Sequence, residues 1–233
     1  MARIKLNPMF KRRPPSKVVW QQIEKNSEPT GHLAYYYSNQ KTELPVRDVT
    51  KRYDNKSDPN IETKSYGMFS TCMPPARKNM VERGDSYIFF FTRRNNQRIL
   101  TGYYELDKFV PTGITPIRGG KPNKFKDFAL LAKRTHFVKN GIPFTGKTWS
   151  KIKSEHIHED EIEGFGPRDF VKVDPQMTKK LKKLLDEQED ITDEYIKEIH
   201  NLENINKENS GKKYPTWKRN NGFTIKDFGD FVQ

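Results

Sequence analysis

YGMFSTCMPPARKNMVERGDSYIFFFTRRNNQRILTGYYELDKF, residues Tyr66 to Phe109, decides how the rest of the chain is read. Three of its parts are β-branched and aromatic runs of strand length: Tyr66 to Thr71, Ser86 to Arg93, and a return from Arg98 that continues to Val110. The link Arg94-Asn95-Asn96-Gln97 is polar, and because asparagine tolerates positive φ it predicts a hairpin between the last two. The unbroken run Tyr87 to Phe91 offers no polar face to water and predicts a central strand covered on both sides. Pro74 and Pro75 suit a first helical turn, so a short basic helix is expected to end near Arg83, where Gly84 permits a sharp turn that Asp85 can cap.

Outward from this stretch the pattern continues. HLAYYYSN (His32 to Asn39) and Asp169 to Val173 have strand character, while Asp127 to Asn140 fits either a strand or a short helix. Beyond them the period changes. Asp174 is a candidate N-cap with Pro175 at the first helical position, and Met177, Leu181, Leu184 and Leu185 fall on one stripe. Lys179, Lys180, Lys182 and Lys183 turn away from that stripe. After Asp190 and Thr192 a second helix carries Ile191, Tyr195, Ile199 and Leu202 on one face, which predicts a helical hairpin packed on the sheet. Residues 206–222 read as a polar linker, and 223–232 as an apolar tail that docks back. The expected organisation is a basic extension over 1–30, a sheet domain over 31–173 and a helical appendage over 174–233.

Composition limits the classes. In 233 residues, 33% are hydrophobic and 31% charged, but 12% are aromatic, too many for a disordered chain. No apolar run approaches the roughly 18 residues that span a bilayer, so a membrane partner is not expected. The single cysteine, Cys72, excludes an internal disulfide framework and points to a reducing, cytoplasmic compartment. Lys and Arg number 43 against 30 Asp and Glu, a net charge of +13, which makes nucleic acid, DNA or RNA, the expected partner. The excess is concentrated: in residues 1–26, Arg3, Lys5, Lys11, Arg12, Arg13, Lys17 and Lys25 face only Glu24, and from Arg118 to Lys153 ten bases face only Asp127.

The order within Tyr66 to Phe109, a strand, a loop and helix, a Gly-Asp turn, an apolar strand and a hairpin return, resembles the PUA-like superfamily, especially its EVE, ASCH and YTH-related branches. The resemblance covers about a fifth of the chain clearly, and the tryptophan-rich opening typical of EVE domains is missing. It implies an α+β protein built as a PUA-like mixed β-barrel with peripheral helices and a C-terminal helical appendage. It also implies a nucleic-acid-binding function in which a flipped or modified base is read in a pocket at the barrel mouth. On the family's pattern that pocket takes Ser70, Thr71, Cys72, Arg77, Lys78 and Asn79. Ser70, Thr71 and Asn79 supply donors and acceptors, and Arg77 and Lys78 neutralise phosphate. Tyr35, Tyr36, Tyr37 and Trp149 are the aromatic candidates, with Tyr36 and Trp149 foremost. Alternate strand residues must face inward, so at least one of three successive tyrosines faces out. Arg13, Lys124 and Lys147 are the expected phosphate contacts on the basic stretches.

Two motifs compete. GIPFTGKT, Gly141 to Thr148, satisfies the phosphate-loop pattern G-x-x-x-x-G-K-[ST], but Ile142, Pro143 and Phe144 are bulky where backbone N–H groups would have to curl round phosphate. A hairpin tip carrying Lys147 to a nucleic-acid face suits it better. In SEHIHEDEIEG, His156 and His158 with Asp160 form a candidate metal group for phosphodiester cleavage, although an acidic loop in a lysine-rich chain equally serves as a salt-bridging partner. No cofactor and no catalytic residue is expected on the leading reading.

Overall fold

The computed structural model describes residues 21–49, 59–67, 74–111, 117–118, 121–122, 128–143 and 170–210. Its centre is the predicted hairpin. Strand β4 (Tyr87–Arg94) turns through Asn95 and Asn96, both at positive φ (48° and 63°), into β5 (Gln97–Pro111). Two consecutive residues at positive φ match the right-handed twist of the flanking strands, which is why asparagines occupy both places. Tyr87 to Phe91 are all at most 8% exposed, as expected of a strand covered on both faces.

Around the hairpin lie β1 (Gln21–Gln22), β2 (Gly31–Tyr35), β3 (Ser65–Tyr66), β8 (Phe128–Pro143) and β9 (Phe170–Val173). The order across the sheet is β3-β8-β5-β4-β2-β9, with β1 pairing beside β5; a separate ribbon joins β6 (Ile117–Arg118) to β7 (Lys121–Pro122). β2 runs parallel to β4 and the other pairs are antiparallel. The segment left open between strand and helix is strand from Phe128 onward, because it pairs with β5 from Phe128 opposite Pro111 to Pro143 opposite Ile99. Three register shifts bend this long pair. At one of them Gly102 lets the backbones close up: a Cβ there would lie 2.7 Å from the Phe137 ring.

The expected closed barrel is corrected. Among the described residues the seven strands form an open sheet, with two-residue β3 at one edge and four-residue β9 at the other and no pairing between them. The layers are those of an α+β protein with helices on both faces. Helix α1 (Pro74–Glu82) and helix α3 (Thr192–Ser210) cover one face, where Met80, Ile191, Tyr195 and Ile199 pack on Ile88, Phe90, Tyr104 and Phe137. Helix α2 (Pro175–Asp186) covers the other, with Met177, Leu181 and Leu185 against Leu33, Tyr87, Phe89 and Tyr103. Asp174 caps α2 as predicted, accepting from the Met177 amide at 2.7 Å.

The helical pair therefore does not pack on one side. The turn between α2 and α3 passes round the edge of β8: the Ile191 amide donates to the Phe137 carbonyl at 2.8 Å, and the Phe137 amide donates to Asp190 Oδ1 at 3.3 Å. Backbone groups at a strand edge must find partners, and the turn supplies them. Arg47, fully buried, fastens α3 to the 61–63 turn through a paired contact with Glu62 and a 3.4 Å contact with Glu203.

Candidate nucleic-acid interface

The Gly84-Asp85 turn is the C-terminus of α1. Gly84 sits at φ 64°, its amide donates to Val81 O and the Asp85 amide to Met80 O, both at 3.0 Å, the double bond of a glycine-ended helix. The Asp85 side chain has another task. Thr30 Oγ1 donates to its Oδ1 at 2.7 Å, His32 Nδ1 lies 3.1 Å from its Oδ2, and Arg83 Nη2 lies 3.3 Å from Oδ2 and 2.9 Å from His32 Nε2. Burial opposes ionisation of Asp85, yet the hydrogen bond and charge of His32, with Thr30 and Arg83, outweigh it and hold the carboxyl below its usual range. Thr30, His32 and Asp85 are all buried. These contacts tie the start of β2 to the C-terminus of α1.

The other end of β2 is different. It exits through Tyr35, Tyr36 and Tyr37, and the two-residue period separates the middle ring from its neighbours. Tyr36, the foremost sequence candidate of the three, is in the core: it is 3% exposed, and its hydroxyl donates to the Pro45 carbonyl and lies 3.1 Å from Thr101 Oγ1. Tyr35 is half-buried on Phe91, ring centroids 5.4 Å apart. Tyr37 meets Tyr35 at 5.4 Å and 90°, and 54% of it remains in solvent.

The hairpin brings two arginines to the same end. Arg93 of β4 and Arg98 of β5 are direct cross-strand partners. Two residues further from the turn than each arginine lie Phe91 and Leu100, members of the cluster on which Tyr35 packs, so both arginines fall on the α2 side of the sheet. Burial, and next the Tyr37 phenol, raise the Tyr35 hydroxyl above the usual phenol range, while Arg93 and Arg98 act on it in the opposite direction. Arg93 is exposed and has no carboxylate partner among the described residues.

Neighbouring contacts fix this arrangement. Arg94 donates to the carbonyls of Thr42 and Glu43, and Gln40 Nε2 donates to the Arg93 carbonyl at 3.0 Å, so the 38–47 loop is held along the hairpin tip. The Asp48 amide donates to Tyr37 O at 2.7 Å. Two stacking rings beside two guanidinium groups can take a base and its phosphate at once.

The residues placed by resemblance are scattered. Arg77 is buried, with its side chain against Gly67, so it does not meet solvent. Lys78 pairs with Glu82 one helical turn on, and Asn79 is exposed on α1. Lys25 of the basic N-terminal stretch donates to the carbonyls of Asp85 and Leu106. Ser70, Thr71, Cys72, Trp149, Arg13, Lys124, Lys147, His156, His158 and Asp160 lie outside the described residues. Among those described, no three His, Cys, Asp or Glu side chains are grouped to hold a metal, and no helix is long and apolar enough to cross a membrane. The sequence reading passed over Arg93 and Arg98. Their signal is symmetry: each stands the same number of residues from the centre of the Asn95-Asn96 turn. No family model, curated protein or solved structure matches this chain.

Proposed function

We propose that this protein binds nucleic acid through the Tyr35, Tyr37, Arg93 and Arg98 end of its sheet, with the basic stretches over 1–26 and 118–153 adding phosphate contacts. The observation that carries the proposal is the arginine pair. Arg93 is exposed, has no carboxylate partner among the described residues and stands opposite a second guanidinium, so an anion bound beside the exposed Tyr37 would find a free positive charge there. The net charge of +13 supports a polyanion over a small acid. Kinship with the PUA-like superfamily belongs to the same proposal, supported by the order β3, α1, Gly84-Asp85, β4 and β5 along the chain. A base-reading pocket beside Asn79 is its finer form.

The test is binding of the full chain to labelled DNA and RNA oligonucleotides across a salt series. Affinity should fall linearly on a log-log plot, and Arg93→Ser should reduce the slope by about one phosphate contact. No binding at low salt refutes the proposal.

A further inference from the structure

Resting on the nucleic-acid reading, we propose that the ligand is single-stranded, with one unpaired base laid on Tyr37 and the adjoining phosphate held between Arg93 and Arg98. Two ways of using a basic hairpin compete. A free two-stranded ribbon enters the major groove of a duplex and reads base edges; a stacking surface takes the face of a base, which only an unpaired base offers.

The hairpin here is not free. Among the described residues, only Arg93 to Arg98 extend past the last β8 partner, Pro143 opposite Ile99. On the β2 side the 38–47 loop lies along the tip: Arg94 is drawn back onto the carbonyls of Thr42 and Glu43, and Gln40 and Ser38 contact the Arg93 carbonyl at 3.0 and 3.4 Å. Such a tip lacks the projecting length a ribbon needs. What it offers is a side-on surface.

On that surface Tyr37 is 54% exposed, whereas the aromatic rings of the two core clusters are buried or partly buried. Its perpendicular contact with Tyr35 fixes the ring without sandwiching it. Tyr35 is in register with Phe91, Arg93 lies two residues further along β4 opposite Arg98, and Ser38 Oγ contacts the Arg93 carbonyl, so the chain places Tyr37 alongside the arginine end of the hairpin. Phosphate contacts position the strand and the ring takes the base, so sequence preference should be weak.

The experiment titrates the full chain with labelled homopolymer DNA and RNA single strands and with blunt duplexes of matching length, using the parent, Tyr37→Ala and Tyr37→Phe. Single strands should bind at least about tenfold more tightly than duplexes, Tyr37→Ala should weaken single-strand binding about 5- to 100-fold, and Tyr37→Phe should stay within about twofold. Thermal unfolding of each variant confirms an unchanged fold at this exposed position. Equal or tighter binding of duplexes overturns the single-strand inference and leaves the nucleic-acid reading standing. Tyr37→Ala binding as the parent does also overturns it, whichever ligand form is preferred. No binding to either form refutes both.

Discussion

The two ends of β2 handle charge in opposite ways. At its start, Thr30 and His32 are enclosed with Asp85 and Arg83, and each charge meets an opposite or hydrogen-bonding group within 3.3 Å. At its end, two arginines face each other across a hairpin beside a tyrosine that is more than half in solvent. The same strand is thus committed to stability at one end and tolerates repulsion at the other. Arg93, exposed and without a carboxylate partner among the described residues, is the charge that sets this end apart.

The strongest way to probe this contrast is Asp85→Ala. It leaves His32 and Arg83 without their acceptor, and breaking a buried pair of this kind costs about 3 kcal/mol. Urea unfolding should show that loss, while the fraction that remains folded should bind oligonucleotides as the parent does. If the folded fraction binds oligonucleotides more weakly than the parent, the separation of roles is wrong. The same residue sets a pH dependence. Its folded carboxyl titrates below the unfolded one, so its contribution is present above the unfolded value and lost as pH falls through the lowered folded value. The parent should therefore lose stability on acidification below the ordinary carboxylate range, and Asp85→Ala should lose less over the same interval.

A smaller effect is expected at Asp190, far from both ends of β2 in role. Its Oδ1 accepts from the Thr192 amide at 3.1 Å, the Thr192 hydroxyl at 2.6 Å and the Phe137 amide at 3.3 Å. Asp190→Ala removes a cap from the start of α3 and a partner from the β8 edge, worth about 1 kcal/mol in all. Hydrogen exchange should speed at the Phe137 amide, and oligonucleotide binding should not change. A change in binding would show that the edge turn communicates with the arginine pair.

How much of this could be read beforehand depends on which distances settle a feature. The Tyr87 to Phe91 run, the Asn95-Asn96 turn and the Asp174 cap are decided by neighbours in sequence, and all three are where the pattern puts them. The stripe Met177, Leu181, Leu185 and the stripe Ile191, Tyr195, Ile199 say that each helix has a buried face. They do not say which sheet face receives it, and the two helices take opposite ones because the turn between them rounds the free edge at Phe137. Barrel closure is a property of long-range pairing that strand patterns do not contain. Likewise the three tyrosines announce alternation, but not its phase: Tyr36 is inside, in the cluster with Phe90, Tyr104 and Phe137, residues distant in sequence, and its hydroxyl donates to the Pro45 carbonyl. Arg93 and Arg98 were legible once the hairpin was drawn, since the turn fixes its own register.

The smallest change in stability, and the one whose sign carries most weight, belongs to Arg93→Glu. Placing a carboxylate opposite Arg98 turns a repulsive cross-strand pair into an attractive one, so the folded protein should gain about 0.2 to 1 kcal/mol in urea unfolding. Oligonucleotide affinity should fall at the same time, since one phosphate contact is removed and a negative charge stands in its place. A gain in stability together with a loss of binding is the signature of a residue kept for its ligand. Salt sharpens the reading: the stability gain should shrink as ionic strength rises, because residue 93 is exposed and its charge is screened. A variant less stable than the parent would mean that Arg93 is held by favourable contacts and that the two ends of β2 are alike. A variant more stable but binding as before would leave the repulsion unexplained and remove the arginine pair from the interface.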